Sequence, residues 1–258
     1  MAWDPEQYLR FADRRTRPAL ELLARVEAEE PGSVVDLGCG PGHLTVRLRE
    51  RWPDARIVAV DSSVEMLARA REEHDDLEVE WVEADAAVWE PDEPPDVIYS
   101  NAVLHWLDDH EELFPRLVSL LSPGGVLAVG MPRNHPEPSH TTAVEVARAG
   151  EWREVLEPVL RPRPVAEPHH YYDLLVPHTA SLDIWETVYL HVFPTADHIA
   201  DWTGGSMLRP LVAELEPDQA ERFEEQYREG LRSAYPPGPD GRVVFPFRRQ
   251  FIVARSSQ

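Results

Sequence analysis

The chain has 258 residues and a formal charge of −22, from 47 acidic against 25 basic side chains, and every basic residue is an arginine. So acidic a chain disfavours nucleic acid, whose binding depends on neutralising phosphates, and no apolar run reaches the ~18–20 residues of a membrane span. One cysteine, Cys39, allows no internal disulfide, which predicts a cytoplasmic chain, and the length fits a single elaborated α/β domain.

In chain order, an N-terminal helix carrying Tyr8, Arg15 and Arg17 comes first. The run Val34-Val35-Asp36-Leu37-Gly38-Cys39-Gly40-Pro41-Gly42 follows, an apolar strand entering a glycine turn that opens a helix. Glycine there permits positive φ and lets a ligand approach the main chain, while the helix start adds unpaired amides. A dinucleotide turn would need glycine or alanine at the position of His43, and a phosphate-cradling loop would need Lys-Ser/Thr after the glycines; neither is present. The pattern D-x-G-x-G-x-G resembles motif I of the class I S-adenosylmethionine-dependent methyltransferases. The resemblance implies that Asp36, Gly38 and Gly40 hold the amino acid end of that cofactor, whose product form is S-adenosylhomocysteine.

The second strand, 57–60, ends at Asp61, where a carboxylate can accept both hydroxyls of a ribose, with Ser62 beside it. Helix capping is the other reading of Asp61, because Ser62-Ser63-Val64-Glu65 fits S-x-x-E. After a third strand, Asp85 with Ala86 resembles the family's acid beside the adenine; a solvated loop aspartate is the alternative. The fourth strand, 96–101, runs into Asn101-Ala102-Val103-Leu104-His105-Trp106. By the resemblance, Asn101 touches the cofactor, and His105 and Trp106 face the methyl acceptor. Tyr8 either closes over the cofactor or packs the N-terminal helix. A fifth strand begins at Val126, after Ser122-Pro123-Gly124-Gly125. Five strand–helix alternations predict a doubly wound parallel sheet, with ligands at the carboxyl ends of the strands.

Beyond residue 131 the alternation stops. Residues 132–180 are rich in proline and histidine, with one predicted helix over about 142–156. A sixth strand is predicted over 181–192, a helical segment over about 195–233, and a last strand over 248–255. The expected fold is therefore a seven-stranded, Rossmann-like methyltransferase sheet in one domain. Its cofactor-binding core spans about 31–131. The insertions 132–180 and 195–247, with the N-terminal helix, are expected to form a mainly helical lid.

The whole chain resembles the trans-aconitate methyltransferases. The likeness runs from Trp3-Asp4-Pro5 through Arg15-Thr16-Arg17-Pro18-Ala19, His110 and Glu112-Leu113-Phe114-Pro115 to Tyr171-Tyr172-Asp173, Asp183-Ile184-Trp185, His191, Leu208-Arg209-Pro210 and Phe251-Ile252-Val253-Ala254-Arg255. His105 stands where that family usually has glutamine, and 148–168 diverges. The resemblance implies methyl transfer to a carboxylate of a small polyanion. An acid of pKa near ~4 is ionised at neutral pH, so no general base is needed and no catalytic side chain is assigned. Cations must hold such an acceptor, and arginine does so with paired hydrogen bonds. Arg15, Arg17, Arg209 and Arg249 are the candidates, with His105, Trp106, Tyr172 and His191 shaping the pocket. Each arginine could equally serve in a surface ion pair. The adjacent His169-His170 cannot easily point at one ion, and H-E-x-x-H and paired cysteines are lacking, so no metal is expected. A carboxyl methyltransferase for another acid, including a malonyl group on a carrier protein, and a non-catalytic cofactor-binding module remain the rival readings.

Overall fold

The computed structural model describes residues 12–160 and 165–257. The chain divides into two compact units. Among the described residues, the first comprises 15–132, 165–186 and 250–257, and the second comprises 12–14, 133–160 and 187–249.

The first unit opens with α1 (Ala12–Leu23) and then alternates strand and helix: β1 (Ser33–Leu37), α2 (His43–Arg51), β2 (Arg56–Asp61), α3 (Val64–Glu73), β3 (Val79–Glu83), β4 (Val97–Asn101), α4 (His110–Ser119) and β5 (Val126–Pro132). These five strands pair in parallel, with Val35 opposite Val58 on one side and Ile98 on the other. Strand β1 is buried from Val34 to Leu37, as a central strand covered on both faces should be. Strand β3 lies at the sheet edge, where exposed Glu80 and Glu83 discourage further pairing. Including β6 (Thr179–Phe193) and β7 (Val243–Ser256), the order is β3-β2-β1-β4-β5-β7-β6. Strand β7 is antiparallel to β5: Ser256 N donates to Gly125 O, while Arg133 N donates to Arg248 O. The strand order reverses between β1 and β4, so ligand binding is expected at their carboxyl ends. The seven strands and flanking helices agree with the expected architecture.

The second unit has its own core. Trp152, Phe193, Trp202, Phe223, Tyr227 and Phe245 are buried together there. The core also draws Ala143 and Ala147 from α5 (Pro138–Ala149), Leu156 from α6 (Arg153–Leu156) and Leu211 from α9 (Arg209–Val212), beside α8 (Asp197–Gly204), α10 (Pro217–Ala234) and the strand segments; α7 (Pro168–Leu175) belongs to the first unit. Buried Tyr227 donates to Ser139 O at 2.8 Å and shares a 2.9 Å hydrogen bond with Thr203, so its hydroxyl is satisfied inside the core.

The helix expected over 142–156 is two helices. Trp152 folds back so that its Nε1 donates to Val146 O at 3.0 Å, and a Cβ on Gly150 would lie 2.3 Å from the indole. Helix α7 was not anticipated within a segment read as proline-rich. Pro168 occupies its first turn, where the missing N–H costs nothing. The single helical segment over 195–233 is also broken, by Gly204-Gly205 and at Pro210 and Pro217, each proline opening a new helix. The last strand begins five residues earlier than expected, because Val243 and Phe245 add buried alternate positions.

No helix among the described residues is long and apolar enough to cross a membrane.

Candidate cofactor and acceptor site

The glycine turn between β1 and α2 is built by main-chain geometry. Gly38, Gly40 and Gly42 have φ of 82°, 55° and 84°. Yet the three serve different ends. A Cβ on Gly38 would lie 2.2 Å from Val103, and one on Gly42 would lie 2.7 Å from Trp81, so both are forced by packing. A Cβ on Gly40 would meet nothing within 4 Å. Gly40 therefore faces open space at the turn, where a ligand can lie against the backbone.

Around that space stand two carboxylates. Asp61, the last residue of β2, accepts from Gly40 N at 2.8 Å and from Ser63 N at 2.9 Å. Each oxygen retains a lone pair for a ligand hydroxyl. The cap of α3 is Ser63, whose hydroxyl accepts from Met66 N, one residue later than the S-x-x-E spacing implied. Asp61 thus braces the turn, and the helix is capped without it. Asp36 is buried and accepts from the Thr45 hydroxyl at 2.6 Å, which ties β1 to α2. Burial pushes its pKa up to about 7; the Thr45 bond opposes the shift and the neighbouring Asp61 charge adds to it. Acids so placed suit a ligand that carries positive charge.

Asp85 is exposed and accepts from Ala87 N at 2.9 Å, so it also organises its own turn. Ser62 is exposed and Ala86 buried. Sequence reasoning missed Arg116, whose guanidinium donates to the carbonyls of Ala86, Ala87 and Trp89 and so clamps the loop after β3. Nothing in a lone arginine within an amphipathic helix signals that role.

Asn101 ends β4, partly buried. Ala102 follows with φ 60°, and its N–H donates to Gly130 O at 2.7 Å. That left-handed alanine costs about 1–2 kcal/mol and marks a chain held in a set shape beside the site. His105 and Trp106 lie on the adjoining single 3-10 turn, their rings 4.7 Å apart. His110 holds the turn in place. Its Nε2 donates to Leu104 O at 2.9 Å, which leaves Nδ1 of the neutral ring to accept from the Tyr171 hydroxyl at 2.7 Å. Cys39 is buried, and burial pushes its thiol pKa up, so it is an inert packing residue.

The acceptor candidates are placed unevenly. Tyr8 lies outside the described residues. Arg15 is on α1. Arg17, its side chain 70% exposed, pairs with Glu21 at 2.7 Å, an i,i+4 surface ion pair. Tyr172 is exposed on α7 and Arg209 is partly buried at the start of α9. In the second unit Val243, Phe245, Phe247 and Arg249 alternate along one face of β7, and Tyr189, His191 and Phe193 do so along β6. The His191 ring lies 5.0 Å from Trp202 and 5.7 Å from Phe247. Arg249 is only 4% exposed, a buried arginine on the same strand face as Phe245 and Phe247. Buried Arg133 was missed; its N–H bond to Arg248 O places it on the backbone next to the same segment.

A methyltransferase-domain family model matches residues 34–125. Among curated proteins, the trans-aconitate 2-methyltransferase of Azoarcus sp. (strain BH72) is 48% identical over 98% of this chain and 98% of its own length. That of Methylobacterium radiotolerans is 46% identical, over 99% and 98%. Among solved structures, the YcgJ protein of Bacillus subtilis aligns with a TM-score of 0.64 at 14% identity, covering 94% of this chain and 99% of its own. The Haemonchus contortus phosphoethanolamine N-methyltransferase 2, in complex with S-adenosyl-L-methionine, aligns with a TM-score of 0.58 at 16% identity, over 94% and 53%.

Proposed function

The chain belongs to the trans-aconitate 2-methyltransferase family, and on that premise we propose that it methylates a carboxylate of trans-aconitate at the expense of S-adenosylmethionine, giving the monomethyl ester and S-adenosylhomocysteine. What carries the reading is that the relationship runs the full length of the chain, late segments included, where the acceptor-binding residues are expected. The open space at Gly40 and the two acids at its edge fit the cofactor. Asp61 would take the ribose, Asp36 and the Gly38–Gly40 backbone the amino acid end, Asp85 and Ala86 the adenine, with Ser62, Asn101 and Tyr8 completing the contact. When bound, the cofactor supplies an electrophilic methyl group on a positively charged sulfur.

The chain's own residues have three tasks. They bind an acceptor that is already ionised, so no side chain has to remove a proton. They orient one carboxylate oxygen towards the methyl group, and they keep water away from it. Arg249 and His191 are the principal acceptor groups, because a buried guanidinium holds a carboxylate far more strongly than a solvated one does, and the imidazole lies among aromatic side chains. Arg209, His105, Trp106 and Tyr172 take secondary roles, and Arg15 and Arg17 complete the proposed set; the exposed pairing of Arg17 makes it the weakest member. The lid function of 132–180 and 195–247 within one domain, and a cytoplasmic location, are part of the same proposal; the lone cysteine is consistent with that location.

Incubating the purified chain with methyl-labelled cofactor and a panel of di- and tricarboxylic acids tests the reading. Labelled ester from trans-aconitate is the expected result. Ester from acyl acids alone would move the chain to another acceptor, and cofactor binding without turnover on any acid would remove the enzymatic reading.

A further inference from the structure

His43 opens α2 directly after the glycine turn, while Glu73 ends α3 and His74 follows it. They are thirty residues apart in sequence, yet one donor atom from each lies within 4.8 Å of the others. The Nε2 atoms of both histidines are buried and make no hydrogen bond. Two buried imidazole nitrogens without a hydrogen bond, in rings whose donor atoms gather near a carboxylate, are costly unless a further group binds them. The His74 ring stacks on Trp81 with 20° between planes, so its orientation is fixed by packing. Glu73 accepts from Arg69 through Oε1, which holds its carboxylate in place.

We propose that His43, Glu73 and His74 form a binding site for a divalent cation of the zinc class, a site outside the cofactor and acceptor machinery. Two imidazoles and one carboxylate are the donor set that zinc, cobalt and nickel favour, with water completing four-coordination. Bond lengths near 2.0–2.1 Å set tetrahedral donors roughly 3.4 Å apart, so closure from the present separation needs about 1.5 Å of side-chain movement at most. The surrounding acids, Glu72, Asp75 and Asp76, and the net charge of −22 draw a cation there. Bound metal would clip the first turn of α2 to the end of α3.

The test uses the full chain stripped with chelator and titrated with cobalt(II) and zinc(II), read by visible absorption and calorimetry. One equivalent should bind with micromolar or tighter affinity, cobalt giving tetrahedral visible bands and quenching Trp81 fluorescence. His43→Asn and His74→Asn should each weaken binding at least tenfold, and Glu73→Gln somewhat less. Zinc should raise the melting temperature of the parent but not of the double histidine variant. His170→Asn is the control, since His170 lies 3.4 Å from Glu111 in a separate pair. Glu73→Gln, at an exposed position, keeps the test decisive should a histidine variant fail to fold. Binding that survives the double substitution, binding lost on His170→Asn alone, or no stoichiometric binding at all (a water then bridging the two nitrogens) would each overturn the proposal.

Discussion

The ligand contacts proposed for the two units are of opposite kinds. In the first, the turn proposed to meet the cofactor is shaped by the main chain: three glycines at positive φ, an amide bound to Asp61 and a left-handed Ala102. In the second, the proposed acceptor contacts are side-chain ones: Arg249 on the buried face of β7 and His191 on that of β6, the imidazole beside Trp202 and Phe247. A site made of backbone tolerates no added atoms but is insensitive to which charges stand nearby. A site made of side chains tolerates small changes in shape but depends on a single charged group. The first should therefore fail by steric intrusion and the second by loss of charge.

The largest effect is expected inside the glycine turn, and it should split by position. Gly38→Ala puts a methyl 2.2 Å from Val103 at φ 82°. Overpacking plus left-handed strain should cost about 2–4 kcal/mol, which lowers the melting temperature by roughly 6–12 °C. Gly40→Ala meets no neighbour and carries only the left-handed strain of about 1–2 kcal/mol, so it should lower the melting temperature by roughly 3–6 °C, less than Gly38→Ala, while cofactor affinity falls at least about tenfold. Thermal melts and calorimetric titration with S-adenosylhomocysteine separate the two. Equal loss of stability in both variants would show that the open space at Gly40 has no binding role.

Arg249→Ala should act on the other ligand. Removing a charge-assisted pair worth about 2–3 kcal/mol raises the KM for trans-aconitate roughly 30- to 150-fold, with the KM for the cofactor changed less than about twofold. Arg209→Ala, at a partly buried position, should show the same selectivity at roughly a tenth of the size. Steady-state kinetics with each substrate varied in turn reads the split. Arg249→Lys tests for fork geometry: it keeps the charge but not the paired donors, so it should recover only a minor part of the loss.

The same contrast explains what could be read from residue order. A backbone-built turn forces residue types at adjacent positions, so Asp36, Gly38, Gly40 and Asp61 stood out, and so did the strands that carry them. The side-chain-built half has no such local constraint. Arg249 could be named only by residue type and resemblance, and Arg133, an isolated arginine after Pro132, carried no signal at all. Alternation did hold a clue: Tyr189, His191 and Phe193 put the imidazole on the aromatic face of a strand. The spacing of Arg17 and Glu21, four apart on a helix, likewise pointed to the surface pair they form. Helix ends were misjudged where prolines acted as first-turn residues, at Pro168 and Pro217, and where Trp152 turned back on Gly150. The His43–Glu73–His74 cluster depends on how α2 and α3 lie against β1 and β2, which no spacing rule conveys.

The smallest effect tests whether charge matters at all in the backbone-built half. The pKa of Asp36 is raised to about 7 from an ordinary carboxylate value of 3.8. The folded chain therefore binds the extra proton between those limits, and the contribution of Asp36 to stability is greatest at low pH and falls as pH rises through that window. Asp36→Asn keeps an acceptor for the Thr45 hydroxyl and removes the titration. The variant should melt a few degrees above the parent at pH 8, with the difference closing towards pH 5. A cationic ligand reverses the sense: it favours the ionised carboxylate, so parent affinity for S-adenosylmethionine should climb with pH up to about 7 and then level off, with proton release on binding below that point. In Asp36→Asn the climb should be absent. If both proteins show the same pH profile, the carboxylate acts only as the tie between β1 and α2, and the first unit recognises its ligand by backbone alone.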